Sequence, residues 1–286
     1  MRLRCEEGSG GPWRRWLRRG AVSEFHGCYL ETVRRQELLI RFYQCLLLVA
    51  LVAFWEIGAN FKWINAFITS QPSKIGAMIA QLQATGKLWP HIVTTVGETT
   101  LGFILGTLSG TIIAVLLWWS RTIAEVLDPY IVVLNSIPKV ALGPIFIVWL
   151  GAGTPAIIAM ALGISVIVTI MMVFNGFNEV HPDKIRLLKS FGASRGQILR
   201  KVTLPASVPT IIAALKVNLG LSLVGTIVGE FLVSKEGLGY LIVYGGQVFN
   251  MSLVMASVII LCVVAVVMYY AVSLLEKKFV RWKGNS

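Results

Sequence analysis

Residues 182–205, PDKIRLLKSFGASRGQILRKVTLP, form a polar and basic stretch between two long apolar blocks. Pro182 suits the first position of a helix, where the N–H that proline lacks would have no helical partner. Gly192 can adopt the left-handed conformation that ends a helix, and Ser194 with Gln197 forms the capping-box pattern that begins another. The stretch therefore predicts two short helices that are joined at a glycine.

The last two residues of this stretch predict where its second helix ends. The ring of Pro205 disfavours the α region for Leu204, the residue before it. We therefore expect the second helix to end at Leu204, and the apolar block that follows to begin at a new angle.

The composition indicates the class of protein. The chain has 286 residues, of which 56% are hydrophobic and 14% charged, and its mean hydropathy is +0.73. A soluble fold of this length cannot bury so much apolar surface, whereas a lipid bilayer accommodates it. We therefore predict an all-α, polytopic membrane protein. Six segments reach the length that a membrane span needs: 42–60, 92–119, 129–150, 155–174, 209–233 and 251–275.

The positions of the basic residues predict the orientation of the chain. If the N-terminus is cytoplasmic, twenty of the 26 Lys and Arg residues lie in inner segments, four in outer connections and two within spans. We expect a basic cytoplasmic tail at 1–36, a transmembrane domain at 37–278 with a cytoplasmic loop at 179–208, and a cytoplasmic C-terminal tail at 279–286. This topology and anionic membrane lipid explain the net charge of +12 without nucleic-acid binding.

The residue types that carry catalysis and metal binding form no site in this sequence. The cysteines and histidines show neither CxxC nor metal-ligand spacing: Cys5, Cys28, Cys45, Cys262, His26, His91 and His181. There is no Ser/His/Asp arrangement, no pair of carboxylates at helical spacing and no GxxxxGKS/T phosphate loop. We therefore predict no catalytic, cofactor-binding or metal-binding residues, and we expect any ATP to be hydrolysed by another polypeptide.

Gly192, nine intervening residues and the sequence VTLP at 202–205 resemble half of the signature loop in permease subunits of bacterial ATP-binding-cassette importers. The resemblance implies that this loop inserts a short coupling helix into a cleft on the ATPase subunit. The Glu-Ala-Ala that usually begins the family loop is replaced here by Arg-Leu-Leu at 186–188, so no contact of that glutamate is carried over. The residues that the resemblance assigns to the coupling loop are Asp183, Arg186, Leu187, Leu188, Gly192, Leu204 and Pro205.

Further motifs resemble permeases of the nitrate, sulfonate, taurine and bicarbonate branch, which also includes carriers of thiamine-precursor pyrimidines. These motifs are DP at 128–129, LNSIPKVA at 134–141, GP at 143–144, WLG at 149–151, GEF at 229–231 and GLGYL at 237–241. The resemblance covers about residues 42–278 and implies a type I importer permease of the bacterial inner membrane.

The same resemblance implies the partners and the transported solute. It implies a permease dimer, expected to be a homodimer although a heterodimer stays open, with two ATPase subunits and an extracytoplasmic solute-binding protein. The implied solute is a small organic or inorganic anion such as a sulfonate, taurine, nitrate or bicarbonate. A pyrimidine carrier of the same architecture is the first alternative, and an ATPase-independent channel or secondary carrier is the alternative of a different class.

The third predicted span, 129–150, contains candidates for the transport pathway. Pro138 and Pro144 interrupt main-chain hydrogen bonding, which a membrane tolerates only where protein or a water-filled cavity replaces the lost partners. Lys139 lies beside the break, where it could attract an anionic solute or pair with an acid from another helix. We add Glu230, for which a gate, a structural ion pair and simple exposure stay open.

Other charged residues within spans have simpler interpretations. Glu56 and Glu98 fall near the outer ends of their helices, and we expect both to be exposed at the interface. Lys216 lies about two helical turns beyond Pro209, and we expect its long side chain to reach back to the cytoplasm.

Three glycines of the second span recur at four-residue intervals: Gly102, Gly106 and Gly110. Such a stripe of small residues lets two helices approach closely. It predicts either a contact within the chain or a contact between two copies of it.

Overall fold

The computed structural model describes residues 23–280, and this part of the chain folds into helices joined by short turns. Residues 1–22 of the predicted N-terminal tail and 281–286 of the C-terminal tail lie outside the described residues. The helices are α1 (Glu24–Asn60), α2 (Ala66–Thr69), α3 (Pro72–Ala84), α4 (Leu88–Trp119), α5 (Arg121–Ser136), α6 (Gly143–Leu150), α7 (Thr154–Asn178), α8 (Pro182–Ser190), α9 (Arg195–Ile198), α10 (Leu204–Val233), α11 (Leu238–Gln247) and α12 (Met251–Val280).

Five helical stretches among the described residues are long and apolar enough to cross a membrane: Phe25–Asn60, Leu88–Trp119, Thr154–Asn178, Arg195–Val233 and Met251–Leu274. A sixth candidate is the pair Arg121–Ser136 and Lys139–Leu150, whose two parts are bent by 90°. The prediction of an all-α membrane protein with about six spans is therefore confirmed.

The third predicted span differs in detail from the structure. It was expected to run from 129 to 150, but α5 begins at Arg121 and keeps Pro129 inside it. The chain then turns after Ser136, because Ile137 adopts the extended conformation that a following proline favours. The third span is therefore a broken one.

The chain divides into two compact units at Ser73 and Lys74. In the first unit, the carboxylate of Glu56 on α1 accepts hydrogen bonds from the Ser73 hydroxyl at 2.9 Å and from the Ser73 backbone N–H at 3.1 Å. A carboxylate is stabilised there because the first turn of α3 has N–H groups without helical partners. Glu56 is therefore half-buried and bonded, and the expectation of simple exposure is wrong.

Helices α4, α7 and α10 form the centre of the second unit. The glycine stripe of α4 faces α7: a Cβ on Gly102 would come within 2.5 Å of Ala161 Cβ, and one on Gly110 within 2.7 Å of Thr169 Cβ. On α10, a Cβ at Gly225 would come within 2.5 Å of Ala161 Cα. Of the two interpretations left open for the stripe, the structure shows the contact within the chain.

Helices α4 and α10 run antiparallel, and side-chain hydrogen bonds between them set their register. The Thr95 hydroxyl donates to Glu230 Oε1 at 2.6 Å near one end, and the Asn218 amide donates to the Thr107 hydroxyl further along. We call the end that carries Thr95 the distal end, and the end that carries Trp119 the loop end.

A cluster of buried apolar side chains closes the distal end. Buried leucines from α3, α11 and the start of α12 pack together with the first residue of α4: Leu82, Leu88, Leu238, Leu241 and Leu253. At about 1.5–3 kcal/mol for each large side chain buried, this cluster fixes the short helices α3 and α11 on the ends of the long ones.

Candidate coupling loop and pathway segment

Helix α8 begins and ends as the sequence predicts. Pro182 occupies its first turn, and the His181 side chain caps it by accepting from the Asp183 backbone N–H at 3.3 Å. After α8, Gly192 has a φ of +75°, in the left-handed region, and the N–H of Ala193 bonds to the Leu188 carbonyl at 3.0 Å. This closing turn explains why a glycine stands at 192.

Helix α9 opens with the predicted capping box. The Ser194 backbone N–H donates to Gln197 Oε1 at 2.8 Å, and the Gln197 backbone N–H donates to the Ser194 hydroxyl at 3.4 Å. Ile198, only 2% exposed, packs the end of this short helix into the bundle. The turn between α8 and α9 is therefore fixed on both sides of Gly192.

The predicted end of the second helix at Leu204 is wrong. Leu204 has φ −58° and ψ −51°, and the chain stays helical from Arg195 to Val233. Residues Leu199–Thr203 form a π-helical turn directly before Leu204 and Pro205. The local preference of the residue before a proline is thus not followed at Leu204.

The loop presents apolar side chains on an otherwise polar surface. Leu187 is 57% exposed and Phe191 is 80% exposed, while Leu188 is half-buried. Asp183 and Arg186 are both exposed and lie 3.5 Å apart between Oδ1 and Nη1. An exposed pair of large apolar residues beside charged ones is typical of a surface that meets a partner.

The ends of the loop are tied to the bundle. Arg195 Nη1 donates to the Trp119 carbonyl at the end of α4 at 2.7 Å. The Ser207 hydroxyl donates to the Gly176 carbonyl of α7 at 2.8 Å. A displacement of the loop would therefore be passed to α4, α7 and α10.

The pathway candidates lie around the break between Arg121–Ser136 and Lys139–Leu150, and we call this pair of helices the bent segment. Pro138 precedes a 3₁₀ turn, Lys139–Leu142, and Lys139 Nζ donates to Asn135 Oδ1 at 3.1 Å. Lys139 is half-buried, and its hydrogen bond to Asn135 holds its ammonium group beside the bend. Pro144 lies in the first turn of α6, where it begins a helix, so the expectation that Pro144 also interrupts bonding is wrong.

Glu230 lies inside the distal end with only 1% of its surface exposed. Its Oε1 accepts from the Thr95 hydroxyl at 2.6 Å, and its Oε2 accepts from the backbone N–H of Gly239. A Cβ on Gly239 would come within 2.8 Å of Glu230 Cβ, so only glycine fits there. Simple exposure is therefore excluded for Glu230. The Thr95 hydroxyl and the Gly239 backbone N–H both donate hydrogen bonds to its carboxylate.

One further expectation about a charged residue is wrong, and another residue has a partner. Glu98 is 4% exposed, and its Oε1 accepts from the Thr154 hydroxyl at 2.9 Å. Lys216 Nζ lies 2.6 Å from Glu276 Oε2 on α12, one residue past the predicted end of the sixth span, and both side chains are partly exposed. The expectation that Lys216 reaches back towards the cytoplasm stays a prediction. Within residues 23–280, no group of three His, Cys, Asp or Glu side chains could hold a metal ion.

Comparison with known proteins identifies the family of this chain. Residues 102–281 match the family "Binding-protein-dependent transport system inner membrane component". The chain is 31% identical over 245 residues to a probable ABC transporter permease protein of Haemophilus influenzae, covering 84% of this chain and 98% of that protein. It is 25% identical over 244 residues to the taurine transport system permease protein TauC of Escherichia coli, covering 83% and 88%.

A solved structure of the MetNI methionine ABC transporter, in an inward-facing conformation, has the same fold. One of its chains superimposes with a TM-score of 0.58 at 22% identity, over 68% of this chain and 94% of that one. The chain therefore belongs to the family of binding-protein-dependent transport system inner membrane components. It is the permease subunit of an ATP-binding-cassette importer, as its signature loop and its other motifs predicted.

Proposed function

We propose that residues 179–208 dock on an ATPase subunit and couple ATP hydrolysis on that subunit to transport. Leu187 and Phe191 carry the proposal, because two exposed apolar side chains on a capped, basic loop suit a protein partner better than water. Asp183 and Arg186 stand beside them and would form the polar rim of the contact.

The continuous stretch Arg195–Val233 supports a mechanical role for the loop. Its 39 helical residues span about 58 Å at 1.5 Å per residue, from the loop end to the distal end. Leu204 and Pro205 lie inside this stretch, so their proposed role is to keep it continuous through the π-helical turn. When the ATPases close, the loop would tilt α10 as a rigid body and switch access from one side of the membrane to the other.

The bent segment is the proposed lining of the pathway, and Glu230 the proposed gate. Lys139, half-buried at the bend, would attract an anionic solute. Pro138 makes the bend, and Pro144 sets the start of α6 behind it. Glu230 joins α10 to α11 at the distal end, so a tilt of α10 would act on its hydrogen bonds.

The proposed assembly is a homodimer of this chain with two ATPase subunits and one extracytoplasmic solute-binding protein. One loop per permease can engage one ATPase, so two loops match two ATPases. A second, different permease would replace the homodimer by a heterodimer, and the subunit composition of the purified complex distinguishes the two. ATP hydrolysis is assigned to the ATPase subunits, and this chain is proposed to have no enzymatic activity of its own.

The proposed orientation places both termini in the cytoplasm. It follows the distribution of Lys and Arg and keeps the boundaries given above: tails at 1–36 and 279–286 and a transmembrane domain at 37–278, with its loop at 179–208. A reporter fused at either terminus of the intact chain tests the orientation, because a periplasmic signal would reverse it.

The proposed solute is a small organic or inorganic anion, such as a sulfonate, taurine, nitrate or bicarbonate. A taurine permease among the relatives and the cation at the bend support this class. A thiamine-precursor pyrimidine is the alternative within the same architecture. An ATPase-independent carrier has no observation in its favour.

The docking proposal is tested with two phenylalanines of similar exposure. Phe191→Ser removes an apolar contact from the loop, whereas Phe249→Ser removes a 73% exposed phenylalanine from the turn between α11 and α12. We expect Phe191→Ser to reduce co-purification of the ATPase and ATP-driven uptake, and Phe249→Ser to leave the co-purification unchanged. Equal co-purification by the two variants would contradict docking through this loop.

A further inference from the structure

A cavity of about 630 Å³ opens at the distal end of the second unit, between α3, the start of α4, α11 and the start of α12. Its volume falls within the range of about 300–1,000 Å³ that is typical of small-molecule sites. The pathway candidates of the bent segment do not line it. We call it the distal cavity, and the residues that matter for its chemistry are Lys87, His91, Lys235, Glu236, Tyr240 and Tyr244.

Three aromatic rings line the distal cavity as a stacked series. The rings of His91 and Tyr240 lie 6.0 Å apart between centroids at an interplanar angle of 22°, and those of Tyr240 and Tyr244 lie 5.8 Å apart at 20°. Near-parallel rings favour offset stacking with a further flat ring. Tyr244 is 43% exposed, so its ring is open to such a ligand.

The backbone fixes which nitrogen of His91 carries a proton. The N–H of Gly237 donates to His91 Nδ1 at 3.0 Å, so this nitrogen acts as an acceptor. The ring is then neutral and its proton sits on Nε2, which makes Nε2 a hydrogen-bond donor. His91, which lines the cavity, therefore has one N–H group as a hydrogen-bond donor besides its aromatic ring.

The charged residues around the cavity favour an anion. Lys87 and Lys235 contribute two positive charges, against the single carboxylate of Glu236. Glu236 Oε2 also accepts a hydrogen bond from the Thr94 hydroxyl at 3.5 Å. The excess of positive charge attracts negative ligands to the mouth of the site.

We propose that the distal cavity binds an aromatic anion, that is, a planar ring that carries a carboxylate or sulfonate group. The ring stacks on Tyr244 and Tyr240, and the acidic group lies between Lys235 and Lys87 within reach of a donor such as His91 Nε2–H. The site stands apart from the bent segment and from the coupling loop. It does not depend on the docking of the ATPase.

The first test compares probes on the unmodified protein. The complex in nanodiscs, without a solute-binding protein, is titrated with benzenesulfonate, with cyclohexanesulfonate and with neutral benzenesulfonamide, and binding is followed by ligand-detected NMR. Because a stacked aromatic pair contributes about 0.5–1.5 kcal/mol, benzenesulfonate should bind about two- to tenfold more tightly than cyclohexanesulfonate. It should also bind more tightly than benzenesulfonamide, and this advantage should shrink at high salt. Equal affinity for all three probes would mean partition into lipid and would overturn the proposal.

The second test uses exposed residues, whose replacement leaves the core intact. Tyr244→Leu should remove the preference for the aromatic probe, and Lys235→Gln should weaken both sulfonates about equally. Their controls are Tyr270→Leu, a 65% exposed tyrosine on α12, and Lys74→Gln, an exposed lysine on α3 that does not line the cavity. Unchanged binding in Tyr244→Leu and Lys235→Gln, or an equal loss in the controls, would contradict the assignment.

Discussion

Replacement of Gly192 by valine tests the backbone conformation of the coupling loop without removing any side chain that is proposed to contact the ATPase. The φ of +75° at Gly192 is a region that β-branched residues avoid. A Cβ built on Gly192 meets no atom within 4 Å outside its two chain neighbours, so the first side-chain carbon has open space. We therefore expect the main effect of Gly192→Val to come from the backbone of the turn.

The size of this effect follows from the left-handed conformation. A non-glycine residue there loses roughly 1–2 kcal/mol, and a change of that size alters a conformational equilibrium by a factor of about 5–30. We expect Gly192→Val to lower ATPase association by about this factor while the permease still inserts and dimerises, because the strain stays within the loop. Gly192→Asn is the matched control, because asparagine tolerates positive φ and should keep most of the association.

The assay is co-purification of the ATPase, together with uptake and ATP hydrolysis in reconstituted vesicles. Lys189→Ala, at an exposed position of α8, should do little in the same assay. Full association and uptake by Gly192→Val would refute the argument that the angle at this turn matters for docking. Equal loss in Gly192→Asn and Gly192→Val would refute its backbone origin.

The remaining predictions concern the pathway and the bundle. Lys139→Met should raise KM for an anionic solute by roughly five- to tenfold, as for about 1 kcal/mol of lost attraction, and unchanged uptake kinetics would contradict it. Glu230→Ala should lower the thermal unfolding temperature, because leaving its buried donors unpaired costs about 1–3 kcal/mol, and Glu230→Gln should lower it less; equal stability of both variants and wild type would contradict this. Gly106→Leu should destabilise the bundle by about 1–3 kcal/mol through its contact with Ser165, whereas Gly97→Leu, with open space at its Cβ, should not; equal unfolding temperatures would contradict the contact.

Features that depend on neighbouring residues in the chain could be predicted from the sequence. The capping box at Ser194 and Gln197 and the positive φ at Gly192 are examples, because each needs only a few adjacent residues. The helical spans followed from the length of their apolar runs. The interruption of main-chain bonding at Pro138 followed from the N–H that proline lacks, whereas the extended conformation of Ile137 before it is a finding of the structure.

Features that depend on distant parts of the chain could not be predicted in the same way. Glu98 is buried because α7 brings Thr154 against it, 56 residues further on, and only its helical spacing from Thr95 on the buried face of α4 could have indicated this. Lys216 is paired because α12 returns Glu276 to its side. Leu204 stays helical and follows a π-helical turn. The conformational preference of a residue before a proline does not predict such a turn.

The central claim is that the loop between α7 and α10 contacts the ATPase, and photo-cross-linking tests it most directly. A benzophenone amino acid is introduced at position 191 of the intact complex, and at position 249 as the control. If the loop contacts the ATPase, position 191 should cross-link to it and position 249 should not. A complex that transports its solute but shows no cross-link from position 191, or an equal one from position 249, would contradict the claim.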